Sequence, residues 1–523
     1  METIIDLLNT AVEQFGGRTA LIEPAEEASM ISLSFADLLE RVYGFAGYLQ
    51  EQKLAKGDRL LLWSASRVDW MVAYFAALLV RAVIVPLDVN SREDFLSRIE
   101  QSTEPKYLIT TQKQYSTLKE LHVPLINIDA LPRGTLDTTK LPAMVGNDLA
   151  ELVFTSGTTG QPKGVMLSHR NISSNATAAV SVVNIQKDDR ALSILPLSHM
   201  FELTIELALF HSGASVVYAR TLSPDTLLKL LASQGVTCMV LVPQALQLFL
   251  HGIERQVRQL KKEQQWEALH RIAEHLPFRF RRVLFRQVHK RFGGHFRFFV
   301  SGGAYLPPKL QKRWEDMGFR VMQGYGATEC APVVSATPYH EHILGSIGKP
   351  LPGVEVRIAE DGELLVKGPN VALGYWKDPE ATAAAFQDGW YHTGDLAYMD
   401  ERDYLYLKGR KKNLIVLANG LNVYPEDIEN VLVTNPLIKD AVVFGQMEND
   451  QGPTVHSVLL MNDPSKAKAV IQQANKQLAP HQQIRGFTVW PEDDFPRTHT
   501  LKVKRPQVLE RLQGMKGKIK AES

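Results

Sequence analysis

Between Leu152 and His169 the chain reads LVFTSGTTGQPKGVMLSH, an apolar run followed at once by hydroxyl residues, glycines and a lone lysine. The apolar start fits a buried strand, and the loss of bulk after it fits a loop. Glycines let several backbone N–H groups turn toward one point, and Thr155, Ser156, Thr158 and Thr159 add short donors. Gly157 and Gly160 supply the turns, and Lys163 supplies a mobile positive charge, so the stretch suits a polyphosphate. It is not GxxxxGK[ST], because Pro162-Lys163-Gly164 stands where that motif needs Gly-Lys-Ser/Thr. The plainer reading is a Ser/Thr/Gly surface loop between strands.

Further along, QGYGATECAP (323–332) flanks Tyr325 with Gly324 and Gly326, and a ring beside glycines offers a face to a planar base. Thr328 and Glu329 follow, a hydroxyl and a carboxylate suited to Mg²⁺, which takes one or two carboxylates and the phosphates of its substrate. In Tyr391-His392-Thr393-Gly394-Asp395-Leu396 an acid follows a glycine turn, fit to accept both hydroxyls of a ribose, with Arg410 as a companion. Pro196-Leu197-Ser198-His199-Met200-Phe201-Glu202 lies just past an apolar strand, where ligand sites of α/β proteins gather. A lone histidine such as His199 is more often structural. PRTHTLKVKR (496–505) reads as a basic tail, either a solvated strand or a carrier of one lysine aimed at a site. The His340-Glu341-His342 triplet lacks the i, i+4 spacing of a zinc helix.

The elements that must position these residues alternate between the two periods. Apolar residues at Leu38, Leu39, Val42, Phe45, Ala46 and Leu49 mark one helix face. A strand at 59–63, a helix at 68–80 and a strand at 82–86 form a β-α-β unit with a parallel pair. Short apolar runs at 107–110, 125–128, 191–195, 215–218, 238–242 and 296–300 continue the α/β pattern. From about 350 the texture changes to hairpins, one with an Asp361-Gly362 turn. After Gly409-Arg410-Lys411-Lys412 come a strand at 414–417, an Asn419-Gly420 turn, a helix at 425–432 with Pro425 first, and α+β texture to the end. The expected division is a large domain over 1–409 and a small one over 410–523.

At 523 residues the chain exceeds what one core fills. Fifty-eight Lys and Arg against 57 Asp and Glu leave no global field, so a nucleic-acid partner is not expected. Cys238 and Cys330 suit a reducing compartment and neither reads as a nucleophile. The first residues carry Glu2 and Asp6 where a signal peptide has bases, which makes the cytoplasm the expected location. The apolar run at 70–80 is too short to span a bilayer. Between 251 and 297, however, twelve Lys and Arg stand against four Glu, with Phe278, Phe280, Val283, Leu284 and Val288 among them. This segment is either a solvated helical hairpin or a basic amphipathic surface for peripheral contact with anionic membrane.

Taken in order, FTSGTTGQPKG, GYGATE, YHTGD and GRKKNLI resemble the signatures of the adenylate-forming (acyl-activating) superfamily, and the likeness runs from about Phe35 to Arg505. PLSHMFE, the basic insert before GGHFRFFVSGGA and TLKVKR look like its long-chain fatty acyl-CoA ligase branch. The resemblance implies an α/β fold with a large N-terminal domain and a small α+β domain joined by a hinge at Lys412. It implies that Thr155 to Lys163 hold the β- and γ-phosphates of ATP, and that Tyr325 with Gly326 and Thr328 stacks on adenine beside Gly303 and Ala304. It further implies that Glu329 binds Mg²⁺, that Asp395 and Arg410 take the ribose, and that Lys502 bridges carboxylate and α-phosphate, with His199 also in the catalytic set. Gly420 would line a thiol tunnel. The implied reaction joins a medium- or long-chain fatty acid, ATP and CoA into acyl-CoA, AMP and pyrophosphate. Leu501 departs from the usual glycine before the lysine, and GQMENDQG (445–452) departs from the usual Gly-x-Pro-Asp turn, which leaves open an acyl carrier protein as acceptor. The remaining alternative is a non-catalytic acyl or nucleotide binder.

Overall fold

The computed structural model describes residues 2–25, 29–156, 162–341, 343–447, 452–497 and 503–521; for residue 156 and residues 514–521 it describes the backbone only. Two compact units divide the chain: Met1–Val356 with Val366–Tyr391, and Arg357–Leu365 with His392–Ser523.

The first unit is built on two sheets. One has nine strands in the order Lys349–Pro350, Val333–Ala336, Arg320–Gly326, Phe298–Ser301, Cys238–Leu241, Arg190–Ser193, Ser215–Tyr218, Thr19–Pro24 and Met30–Ser34. It is parallel from Arg320–Gly326 to Thr19–Pro24 and antiparallel at both edges. The other has seven, in the order Gly374–Tyr375, Pro162–Ser168, Leu149–Ser156, Val83–Leu87, Arg59–Trp63, Tyr107–Thr110 and Leu125–Asn127.

Strand alternation sorts the apolar residues into three layers. Leu60 and Leu62 join Ala191, Val216 and Val240 in a middle core, together with the helices Ile4–Phe15, Phe35–Glu51, Val68–Leu79, His169–Val183 and Met200–His211. Leu61 and Trp63 face outward into a second cluster, while Leu192, Val217, Met239 and Leu241 face a third. Parallel strands covered on both faces read as unbroken apolar runs, which is why these were visible in sequence. The apolar stretch at 70–80 is the buried helix Val68–Leu79, and among the described residues no helix is long and apolar enough to cross a membrane.

The third cluster contains the basic insert. It folds as four helices, Pro243–Gln259, Glu263–Glu274, Phe278–Leu284 and Arg286–Arg291, rather than as one hairpin. Trp266, Ala273, Phe285 and Val288 are its buried side, while Phe280 and Val283 remain exposed.

In the second unit, the strands Trp390–Met399 and Leu405–Arg410 pair antiparallel, and the Asp361-Gly362 turn leads into the strand Glu363–Lys367. Gly362 has φ +85°, the left-handed conformation such a turn requires. Beyond them Ile438–Met447, Pro453–Met461 and Gly486–Val489 form a three-stranded sheet flanked by the helices Pro425–Leu432 and Ala467–Asn475. Of the basic tail at 496–505, Arg497 and Val503 form an isolated antiparallel bridge and residues 498–502 lie outside the described residues; the helix Arg505–Ala521 follows it.

Candidate active site

Within the first unit, the site residues cluster at strand ends and in the turns that follow them. Leu149–Ser156 and Pro162–Ser168 form an antiparallel pair in which Thr155 faces Lys163. Gly157, Thr158, Thr159 and Gly160, expected to cradle phosphate, lie outside the described residues. Lys163 is half-buried, its ammonium 5.0 Å from the centroid of the Tyr375 ring. Tyr375 Oη donates to Glu329 Oε1 at 2.9 Å. Burial and then the Glu329 charge push the Tyr375 phenol above its ordinary pKa, so it stays a proton donor. One lysine, one phenol and one carboxylate are thereby joined across three separate stretches of sequence.

The turn that carries Glu329 is held by buried amides. Asn175 accepts from Val333 N at 3.0 Å and donates to Val333 O at 2.7 Å. Asn370 donates to Cys330 O at 3.0 Å, Thr204 donates to Ala331 O at 3.1 Å, and Ala372 N donates to Glu329 O at 2.8 Å. Thr328–Cys330 is a single 3-10 turn with Ala331 at φ +56° behind it. Satisfying these backbone groups inside the protein fixes where the carboxylate points.

The tyrosine before it differs from the reading of an open ring face. Tyr325 is only 9 % exposed, and the glycine after it serves another purpose. A Cβ on Gly326 would lie 1.9 Å from Pro332 O, so the missing side chain admits a carbonyl. Gly324 is under no such pressure, its imagined Cβ meeting Ser335 O at 3.7 Å.

Phe298–Ser301 ends in the Gly302-Gly303-Ala304 turn, with Gly303 at φ +76°. A Cβ on Gly302 would lie 2.9 Å from the Phe201 ring, so this turn packs on the start of the helix Met200–His211. His199 stands just before that helix without a side-chain capping bond, and its Nε2 is 3.5 Å from Asp88 Oδ2. Asp88 follows the strand Val83–Leu87 and is buried. It was not among the residues picked out in sequence, although an acid just past an apolar strand is the same signal that drew attention to His199. Tyr375 was missed as well, since a tyrosine after a glycine carries no signal of its own. Cys238 and Cys330 are buried, and burial pushes the Cys238 thiol up, as suits a packing role.

In the second unit, Asp395 and Arg410 are partners across two strands, and Arg410 Nε lies 2.7 Å from Asp395 Oδ1. Thr393 positions the acid: its hydroxyl donates to Leu364 O at 2.7 Å and accepts from Asp395 N at 3.0 Å. Lys411 pairs with Asp361 at 2.6 Å and Glu363 at 3.0 Å, while Lys412 is exposed in the turn Lys411–Asn413. Gly420 turns at φ +77°. Lys502 lies outside the described residues, as do residues 448–451 of the altered turn and His342 of the discounted triplet.

Glu329 presents one half-buried carboxylate, and among the described residues no group of three His, Cys, Asp or Glu is gathered to hold a metal. A single carboxylate suits Mg²⁺ that keeps phosphates and water as its other ligands, so the residues present fit that ion.

Two sheets sharing a helical layer, followed by a small α+β unit and with these motifs at the strand ends, define an adenylate-forming enzyme. The chain belongs to the AMP-binding enzyme family: residues 8–376 match that family and residues 412–515 match its C-terminal domain. It is a ligase of that family. Similar proteins include a long-chain-fatty-acid–CoA ligase of Mycobacterium bovis, 32 % identical with 87 % of this chain and 86 % of the relative covered. A long-chain-fatty-acid–CoA ligase of Escherichia coli is 28 % identical over 98 % of this chain and 95 % of its own. Among solved structures, o-succinylbenzoate–CoA synthetase of Bacillus subtilis, in complex with ATP and magnesium, is 27 % identical with a TM-score of 0.78, covering 96 % of this chain and 98 % of its own.

Proposed function

We propose that this ligase activates a medium- or long-chain fatty acid with ATP and transfers the acyl group to CoA. The observation that carries the reading is the match, over most of both chains, to relatives named for that reaction. In the first step a carboxylate oxygen of the fatty acid attacks the α-phosphorus of ATP, the bond to the bridging oxygen breaks, and pyrophosphate leaves. In the second, the CoA sulfur attacks the acyl carbonyl carbon and AMP leaves.

The first step brings two anions together, so the chain must supply positive charge at that point. Lys163, beside Thr155 to Gly160, holds the β- and γ-phosphates, and Lys502 bridges the carboxylate and the α-phosphate. Tyr375 orients the Glu329 carboxylate through its 2.9 Å hydrogen bond. Glu329 would hold Mg²⁺, which would supply positive charge to offset the phosphates. Tyr325, Gly326, Thr328, Gly303 and Ala304 form the adenine site, Asp395 and Arg410 hold the ribose, and His199, its Nε2 3.5 Å from Asp88 Oδ2, belongs to the catalytic set. Rotation of the small domain about Lys412 then exposes a different face for the thiol.

The test is fatty-acid-dependent exchange of labelled pyrophosphate into ATP, across acids from acetate to oleate, beside Lys502→Ala. Exchange that rises with chain length and falls on the order of 10²–10³-fold in the variant is expected. No exchange with any acid would sink the reading and leave a non-catalytic binder. Adding CoA or an acyl carrier protein then separates acceptors: acylation of the carrier alone would replace CoA with the carrier.

A further inference from the structure

We propose that the outer face of the four helices Pro243–Gln259, Glu263–Glu274, Phe278–Leu284 and Arg286–Arg291 docks on a bilayer containing anionic lipid. The fold sorts the bases of this insert into two sets. Arg281, Arg282 and Arg297 turn inward: Arg281 pairs with Asp316 at 3.3 Å, Arg282 donates to Phe296 O and Gly294 O, and Arg297 pairs with Asp189. The other nine, Arg255, Arg258, Lys261, Lys262, Arg271, Arg279, Arg286, Lys290 and Arg291, are exposed. Among the described residues, none of these nine forms an ion pair with an acid.

The local acids do not offset this charge. Arg313 pairs with Glu254 and Glu267, and Lys312 with Glu274, both bases coming from the helix Pro308–Asp316 behind the insert. Among the described residues, Glu263 alone of these four acids is left without such a partner.

The apolar residues are divided in the same way. Leu246, Leu250, Trp266, Phe285 and Val288 fill the third core, while Leu248, Leu260, Ile272, Phe280 and Val283 are 48–67 % exposed. Five large apolar side chains are thus exposed on the same four helices as nine cations without an acidic partner among the described residues, one of them, Arg279, lying 5.0 Å over the Phe280 ring. Consecutive helices of the insert touch one another. Scattered apolar side chains beside cations can each sink into the headgroup boundary while the cations meet lipid phosphates, which favours a bilayer over an acidic protein.

The surface also leads toward the candidate active site. The helix Pro243–Gln259 starts directly after Val242, against which a Cβ on Gly303 would sit at 3.7 Å. Its 17 residues span about 25 Å. The face therefore includes a helix whose first turn adjoins the proposed adenine turn. A role in drawing fatty acid from the bilayer rests on the fatty-acid reading; the lipid binding itself does not.

Flotation of the full chain with vesicles of phosphatidylcholine alone, or mixed with about a third phosphatidylglycerol, tests the proposal. Binding to the anionic vesicles at least about 10-fold tighter than to neutral ones, lost at high salt, is expected. Lys261→Glu with Lys262→Glu and Arg271→Glu should weaken that binding at least about 10-fold. Phe280→Ser with Val283→Ser should weaken it while leaving its salt dependence in place. Pyrophosphate exchange with octanoate should stay at the wild-type rate in both, which reports an intact fold independently of lipid. Equal binding to both vesicle types, wild-type binding by both variants, or retention of an acidic carrier protein with no vesicle bound would overturn it.

Discussion

Tyr375 ties Lys163 to Glu329, and the strength of that tie sets the cost of removing it. A hydrogen bond to a charged group contributes about 1.5–3 kcal/mol, and its loss at a reacting centre appears in rate. Tyr375→Phe keeps the ring beneath Lys163 and removes only the donor at 2.9 Å, so pyrophosphate exchange should slow by about 10-fold or more with the melting temperature little changed. An unchanged rate would mean that Glu329 needs no orienting partner. The two glycines flanking Tyr325 give a paired prediction about stability. Gly326→Ala puts a methyl 1.9 Å from Pro332 O, and such overpacking costs about 1–3 kcal/mol, whereas Gly324→Ala meets only an ordinary contact. Thermal unfolding should separate the two, and equal stability would refute the steric account. At this scale the motif residues were legible because each sits in a run of unusual composition. Asp88, Tyr375, Asn175 and Asn370 were not, because their work is set by what the fold brings beside them.

Strands and helices were most legible where burial is complete. The runs at 59–63, 107–110, 215–218 and 238–242 are mostly apolar, without polar alternation, because parallel strands are covered on both faces, and each contains a strand. The helix Arg505–Ala521 escaped notice because its first half packs few apolar residues, chiefly Val508 and Leu512. One strand carries a charge that its setting opposes. Glu151, on Leu149–Ser156, is fully buried, and its Oε2 accepts from Tyr74 Oη at 3.3 Å. Burial pushes its carboxyl from an ordinary 4.5 up to about 8. The folded protein thus holds a proton that the unfolded chain releases, so this group's contribution to stability is greatest below about 4.5 and is lost as pH rises toward 8. Glu151→Gln cannot titrate and keeps the volume. Its stability relative to the wild type should rise between pH 5 and pH 8, by on the order of 3 kcal/mol. Denaturant melts of both proteins at the two pH values measure the difference, and a gap that does not widen would show that Glu151 is ionised in the fold.

On the scale of the whole molecule, two physical criteria divide the chain in different places. By contacts, the second unit takes in Arg357–Leu365 and everything from His392, because the strand Trp390–Met399 and its partner Leu405–Arg410 belong to one sheet. By apolar burial, the division falls later. One cluster of the small domain gathers Ile415, Val423, Ile428, Val443, Leu459 and Ile484, the other Val442, Val458, Trp490, Phe495, Val508 and Leu512, and no member of either precedes 415. The sequence pointed to Arg410 because composition and turn chemistry follow the cores; the Asp361-Gly362 turn marked a hairpin before it, but no local pattern reveals which unit the strands of 355–410 pair into. Hydrophobic burial dominates the stability of a domain, and backbone pairing alone contributes little net energy. A chain of residues 410–523 therefore retains both cores whole and should unfold cooperatively, with a sigmoidal melt and native near-ultraviolet circular dichroism. A fragment lacking residues 484–523 removes Trp490, Phe495, Val508 and Leu512 and should lose that transition. If 410–523 instead melts without cooperativity while 392–523 melts sharply, the hairpin strands, and not the two apolar clusters, hold the small domain together.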